Sequence, residues 1–211
     1  MQLYVYPFAP NPMKPIILIG EKSMDVTIST VQAGNFAAFR RLNPGRRTPV
    51  LVLDNERVIT ESLAICRYLD EVSGPRYFFG NSLDERTEVA MWERRAELEL
   101  FNESASVYHN IHPMFRQNIP QSMETASTAF ARAGAFIATM GKLLETRPFI
   151  AGSDISAADI TAYIGFFWLT AMGVLSLGDV VPPIQAWAAS LEGRASFFPL
   201  LDMANTLRVT A

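Results

Sequence analysis

Residues 46–72 read RRTPVLVLDNERVITESLAICRYLDEV. An apolar run, Val50 to Leu53, lies between Pro49 and Asp54. A turn pair, Asp54-Asn55, separates it from a second short run, Val58 to Thr60, so the two are predicted to form an antiparallel hairpin. From Glu61 the period changes. Leu63, Ile65, Cys66, Leu69 and Val72 fall close to helical spacing, which predicts a helix packed on the sheet through one face.

Upstream the chain alternates. QLYVY (2–6) and DVTIST (25–30) are strand-like; MKPIILIGEK (13–22) has helical spacing and FAAFRRLN (36–43) suits a short helix. The order over the first 80 residues is therefore β-α-β-α-β-β-α. Its opening strand–helix–strand predicts a parallel crossover. SGPRYFFGNS (73–82) has linker composition. Beyond it the pattern is helical only: an amphipathic stretch from Leu83 to Phe115, a helix over METASTAFARAGAFIATMGKLLET, another over SAADITAYIGFFWLTAM, and shorter ones over IQAWAASLEG and FFPLLDMAN. Charge changes at the same place. Residues 1–80 carry nine Lys/Arg and seven Asp/Glu, whereas residues 81–211 carry nine and fourteen. Two domains are expected, a small α/β unit and an all-α unit.

Composition bounds the function. The chain has 211 residues, 49% hydrophobic and 18% charged, as a globular protein with a sizeable core does. A formal net charge of −3 gives no support to nucleic-acid binding. One cysteine, Cys66, provides neither a disulfide framework nor a CxxC pair, and its apolar helical position makes it a small buried hydrophobe. His109 and His112 lie three apart without a carboxylate to complete a metal site, so none is expected. Ile160 to Gly178 is uncharged, but Asp159 abuts it and three glycines interrupt it. It reads as a buried core helix, not a membrane span. The start reads as a strand and lacks a basic signal region, which points to a cytoplasmic setting.

Three places can carry chemistry. Pro49 precedes a strand. A cis Thr48–Pro49 bond would turn the Thr48 backbone outward to pair with an extended ligand, while a trans proline would merely open the strand. Glu61-Ser62 opens a helix, where unpaired amides favour a carboxylate, the Ser62 hydroxyl can join them and Glu61 can accept from an ammonium; plain capping by Thr60 or Ser62 uses the same residues. The third is YPFAPNPMKPI (6–16), with four prolines in eleven residues. Asn11 is a good N-cap and Pro12 a good first helical residue. At such a terminus a thiolate is favoured by the helix dipole and can accept from the Asn11 amide. Ser156 to Asp159, SAAD, is a capping-box pattern with a structural role.

NPGRRTPVLVLD…VITESLAICRYLDE, together with PFIAGSDISAADITAY, resembles the cytosolic glutathione S-transferase family, and the resemblance covers nearly the whole chain. It implies a thioredoxin-like N-terminal domain over residues 1–73, a linker over 74–83 and a C-terminal helical-bundle domain over 84–211. It also implies glutathione as cosubstrate. Glu61 and Ser62 would hold the γ-glutamyl end, the Thr48 backbone beside Pro49 the cysteinyl unit, and Arg46 or Arg47 the glycyl carboxylate. Where many members carry Ser, Cys or Tyr to activate the thiol, this chain offers Asn11, as a bacterial subgroup does, with Tyr6 as the alternative. Phe8, Tyr108, His112, Phe115 and Trp168 are candidates for a second-substrate pocket, though each also suits core packing. The implied protein is a cytoplasmic homodimer that conjugates glutathione to a hydrophobic electrophile. Two alternatives are a glutathione-dependent disulfide or peroxide reductase and a non-catalytic binding protein of the same fold.

Overall fold

The computed structural model describes residues 1–7, 9–74 and 78–203. The chain divides into two compact units, Met1–Tyr77 with Ala195–Pro199, and Phe78–Arg194 with Leu200–Ala211.

The first unit follows the expected order: β1 (Gln2–Val5), α1 (Pro10–Glu21), β2 (Thr27–Thr30), α2 (Phe36–Leu42), β3 (Val50–Val52), β4 (Val58–Thr60) and α3 (Ser62–Val72). The strands lie in the order β2-β1-β3-β4. β1 and β2 are parallel, joined by the α1 crossover, while β3 runs antiparallel to both β1 and β4. Strand alternation divides the core. Tyr4, Tyr6, Val50 and Val52 pack around Phe39 of α2. Leu3 and Leu51, fully buried, point to the other face. Helices α1 and α3 pack on each other, and their far ends are tied by a buried ion pair between Lys22 Nζ and Asp70 Oδ1 at 2.8 Å. Gly20 lets the Ala195–Pro199 segment approach α1: a Cβ there would lie 2.9 Å from Ser196 Cβ.

The start of α1 differs from expectation. Ala9 is the N-cap and Pro10 the first helical residue, so Asn11 stands second and Pro12 third. Both prolines suit the first helical position, and the helix begins at the earlier one. The Ala9 N–H contacts Tyr6 O at 3.5 Å, and Pro10 and Pro12 have no N–H. The first turn therefore presents one backbone donor, that of Asn11. Pro15, inside the helix, also withholds the donor that the Asn11 carbonyl would otherwise meet.

The second unit is helical. α4 (Leu83–Arg95), a π-helical segment (Ala96–Phe101) and α5 (Asn102–Ile111) run on continuously; α6 (Met123–Leu144), α7 (Ala157–Ala171) and α8 (Pro182–Glu192) follow, and the described residues end just after α9 (Phe198–Leu201). Every residue of α7 from Ala157 to Leu169 is buried, which accounts for the absence of charge from Ile160 onward. Among the described residues, no helix is long and apolar enough to cross a membrane. Gly165 admits the π-helical segment: a Cβ there would lie 2.9 Å from Phe101 Cα.

SAAD starts α7. Asp159 Oδ2 accepts from Ser156 N (3.0 Å) and Oγ (2.8 Å), and Oδ1 accepts from Ile150 N (2.8 Å) and Trp187 Nε1 (3.0 Å). Of the expected linker, residues 75–77 lie outside the described residues. Phe78 and Phe79 are buried, and Phe78 O accepts from Ala157 N at 3.0 Å.

Candidate functional site

In the first unit a polar cavity of about 320 Å³ opens where the loop before β3 meets the first turns of α1 and α3. Asn11, Arg47, Thr48, Pro49, Glu61 and Ser62 line it. These six were singled out in the sequence on separate grounds, and the fold brings them together. Asn43, Gly45 and Thr60 also line it, and sequence reasoning missed them. The one signal for Asn43 and Gly45 was their place in NPG, directly before RRTP.

Asn43 organises its loop. Its Nδ2 donates to Arg47 O at 2.6 Å and its Oδ1 accepts from Gly45 N at 3.2 Å. This holds the chain as it enters the Thr48–Pro49 peptide, which is cis. Thr48 Oγ1 accepts from Tyr6 N at 3.1 Å. Neither the Thr48 N–H nor its C=O pairs with another backbone group among the described residues, so an edge is open to an extended ligand. Arg47 borders the cavity while Arg46, at φ 54°, does not.

Glu61 is the N-cap of α3, yet its side chain caps nothing. Its backbone lies at φ 69°, ψ 122°, a region that L-residues avoid at a cost of about 1–3 kcal/mol. The capping alternative from the sequence is therefore not what these side chains do. The Glu61 carboxylate is exposed at the cavity. Ser62 is only 6% exposed, and its hydroxyl donates to Asn11 Oδ1 at 3.3 Å. The first intrahelical bond of α3 runs from Ile65 N to Glu61 O, which leaves the N–H groups of Ser62, Leu63 and Ala64 as the unpaired donors of that terminus.

Asn11 and Tyr6 separate clearly. Asn11 lines the cavity with its carbonyl oxygen engaged, and its Nδ2 has no partner among the described residues. The Tyr6 ring instead packs edge-on against Phe39, centroids 5.9 Å apart, and does not line the cavity. Cys66 is buried at 3% exposure.

In the helical unit, Tyr108 is the hub of an aromatic cluster. Ring centroids lie 4.8 Å away at Trp168, 4.8 Å at His112 and 5.1 Å at Phe115. Tyr108 and Trp168 are buried, so packing accounts for both. Burial pushes the Tyr108 hydroxyl up and the His109 and His112 imidazoles down from their ordinary values. Phe8, the remaining candidate for a second-substrate pocket, lies outside the described residues. Among the described residues, no cluster of three metal-ligating side chains occurs.

A four-stranded mixed sheet with a polar cavity at two helix starts, followed in sequence by an all-helical unit, defines a thioredoxin-like domain with a C-terminal helical domain. Residues 8–72 match the family model "Glutathione S-transferase, N-terminal domain". Glutathione S-transferase 2 of Saccharomyces cerevisiae is 27% identical over 211 residues, spanning 96% of this chain and 90% of its own. Among solved structures, a glutathione S-transferase domain-containing protein of Marinobacter aquaeolei VT8 superposes with a TM-score of 0.80 at 29% identity, covering 93% of this chain and 99% of its own. Gtt2 from S. cerevisiae does so with a TM-score of 0.81 at 26% identity, covering 95% and 100%. The N-terminal unit thus matches the glutathione S-transferase N-terminal domain, and over nearly its whole length the chain is similar to glutathione S-transferases.

Proposed function

We propose that the protein binds glutathione in the cavity of its thioredoxin-like domain, activates the thiol through Asn11 and transfers it to a hydrophobic electrophile. The observation that carries this reading is the Asn11 amide. Its oxygen is committed to Ser62 and its two Nδ2 hydrogens are left to the cavity. A thiolate is an acceptor only, so a fixed pair of amide hydrogens favours the anion over the thiol.

The rest of the cavity suits the rest of the tripeptide. The Glu61 carboxylate faces the γ-glutamyl ammonium, the α3 amides face its carboxylate, and the Thr48 backbone pairs with the cysteinyl unit. Arg47 meets the glycyl carboxylate. Held this way, the thiol loses its proton below its free pKa of about 8.5. The sulfur then attacks the electrophilic carbon; a C–S bond forms as the leaving group departs with its electron pair. Positioning and electrostatics supply the acceleration. We place the protein in the cytoplasm as a homodimer; exposed apolar side chains on α3 (Val72), α4 (Met91) and the π-helical segment (Leu98) offer surface for a second copy.

Calorimetry tests the binding arm. The wild-type protein is expected to bind glutathione, and Glu61→Gln to bind it about tenfold more weakly through loss of a charge-assisted contact. No detectable binding by the wild type at millimolar glutathione would overturn the reading.

A further inference from the structure

Resting on that reading, we infer that the Thr48 hydroxyl is a second donor to the sulfur, so that Asn11 and Thr48 hold the thiolate between them. The polarity of this hydroxyl is fixed by its neighbour. Tyr6 N, 42 positions away, meets Thr48 Oγ1 at 3.1 Å. A backbone N–H can only donate, so in this contact the hydroxyl oxygen accepts. Its one proton is left over, and no acceptor takes it among the described residues. Thr48 is half-buried and lines the same cavity as Asn11. A hydroxyl with its oxygen engaged and its proton free has a place for an acceptor supplied from the cavity.

Two features bring that proton to the sulfur and not to another part of the ligand. The first is the anchor. Tyr6 O accepts from the N–H of Ala9, the N-cap of α1, so the segment that holds Thr48 Oγ1 is the one that leads into the turn bearing Asn11. The second is pairing. A cysteinyl unit that exchanges both backbone bonds with Thr48 stands directly opposite it, as in an antiparallel ladder, with Cβ atoms about 4.5–5.5 Å apart on one face. Thr48 Oγ1 and the cysteinyl sulfur each lie one bond beyond those Cβ atoms, within hydrogen-bonding reach of one another. A thiolate only accepts, so the hydroxyl favours the ionised sulfur. The hydroxyl keeps its own proton throughout; the thiol proton leaves to solvent. Valine has the same β-branched shape and the same backbone groups, so the hydroxyl alone is what threonine adds at this position.

The test follows the pKa of the bound thiol, read as the difference in thiolate absorbance between loaded and free protein at saturating glutathione. Beside it, calorimetry measures affinity for S-methylglutathione, whose sulfur cannot ionise. Thr48→Val is expected to raise the bound thiol pKa by about one unit and to change S-methylglutathione affinity less than about threefold. Thr48→Ser keeps the hydroxyl and is expected to retain the wild-type pKa. Should Thr48→Val not fold, Thr48→Ala takes its place with the same expectation. An unshifted thiol pKa in whichever hydroxyl-lacking variant folds overturns the inference, as does an equal shift in Thr48→Ser. A larger loss of S-methylglutathione affinity, or loss of folding in both hydroxyl-lacking variants, overturns it too, since the hydroxyl would then serve as a brace for its loop through Tyr6 N. A wild-type protein that leaves the thiol pKa at its free value overturns the function instead, and is seen before any Thr48 variant is made.

Discussion

Asn11→Ala is expected to cut kcat/KM for glutathione conjugation about 100-fold, the scale set by removing one preorganised donor from an anion-stabilising site. The loss should fall mainly on the thiol. Its pKa in the complex should return toward the free value of about 8.5, moving the pH–rate profile to the alkaline side. Glutathione affinity should change little, because Glu61, Arg47 and the Thr48 backbone are untouched. Tyr6→Phe is the natural comparison. The Tyr6 ring packs on Phe39 and does not border the cavity, so that variant should retain the wild-type pH profile. A profile that shifts in Tyr6→Phe and stays put in Asn11→Ala would reverse the assignment.

The second large effect lies in the helical unit and concerns stability. Asp159 collects four donors around one buried carboxyl. Asp159→Ala would leave the N–H groups of Ile150, Ser156 and Trp187 without their acceptor, and is expected to destabilise the unit by about 3–5 kcal/mol. Urea unfolding followed by tryptophan fluorescence measures this directly. All three tryptophans, at 92, 168 and 187, lie in the helical unit, so the signal reports that unit alone. A pH dependence accompanies it. Burial raises the Asp159 carboxyl above its ordinary 3.8, against the pull of its donors. The folded state therefore holds the proton more tightly than the unfolded state. The wild-type advantage over Asp159→Ala should be largest below about pH 3.8 and shrink as pH rises through the folded value. A constant difference across that range would contradict the raised carboxyl.

The order of elements was legible because each rests on a local signal. The Asp54-Asn55 turn specified the β3–β4 hairpin, the change of period at Glu61 marked α3, and SAAD marked the start of α7. What was not legible depends on contacts distant in sequence or on backbone geometry. Pro10 and Pro12 are equally suited to begin a helix, and sequence pattern does not choose between them; the choice made Asn11 a second helical residue instead of a cap. Nothing in ITES announces a positive φ at Glu61, since that conformation usually calls for glycine. The Ser62–Asn11 bond joins elements 51 residues apart and has no periodic signature. Asn43 and Thr60 line the cavity through the fold of one loop and the end of one strand. Tyr108, His112, Phe115 and Trp168 were named as candidates for one pocket, but the meeting of the first three rings with Trp168 depends on how α5 and α7 pack, which has no local signal.

The backbone of Glu61 has a consequence for anyone who engineers this protein. Glycine accepts φ 69° without steric cost, so Glu61→Gly should gain about 1 kcal/mol of stability in the first unit while removing the carboxylate from the cavity. A library sorted only for heat resistance would enrich that substitution and discard glutathione binding along the way. Paired measurement of melting temperature and glutathione affinity across position 61 would show the two properties moving in opposite directions.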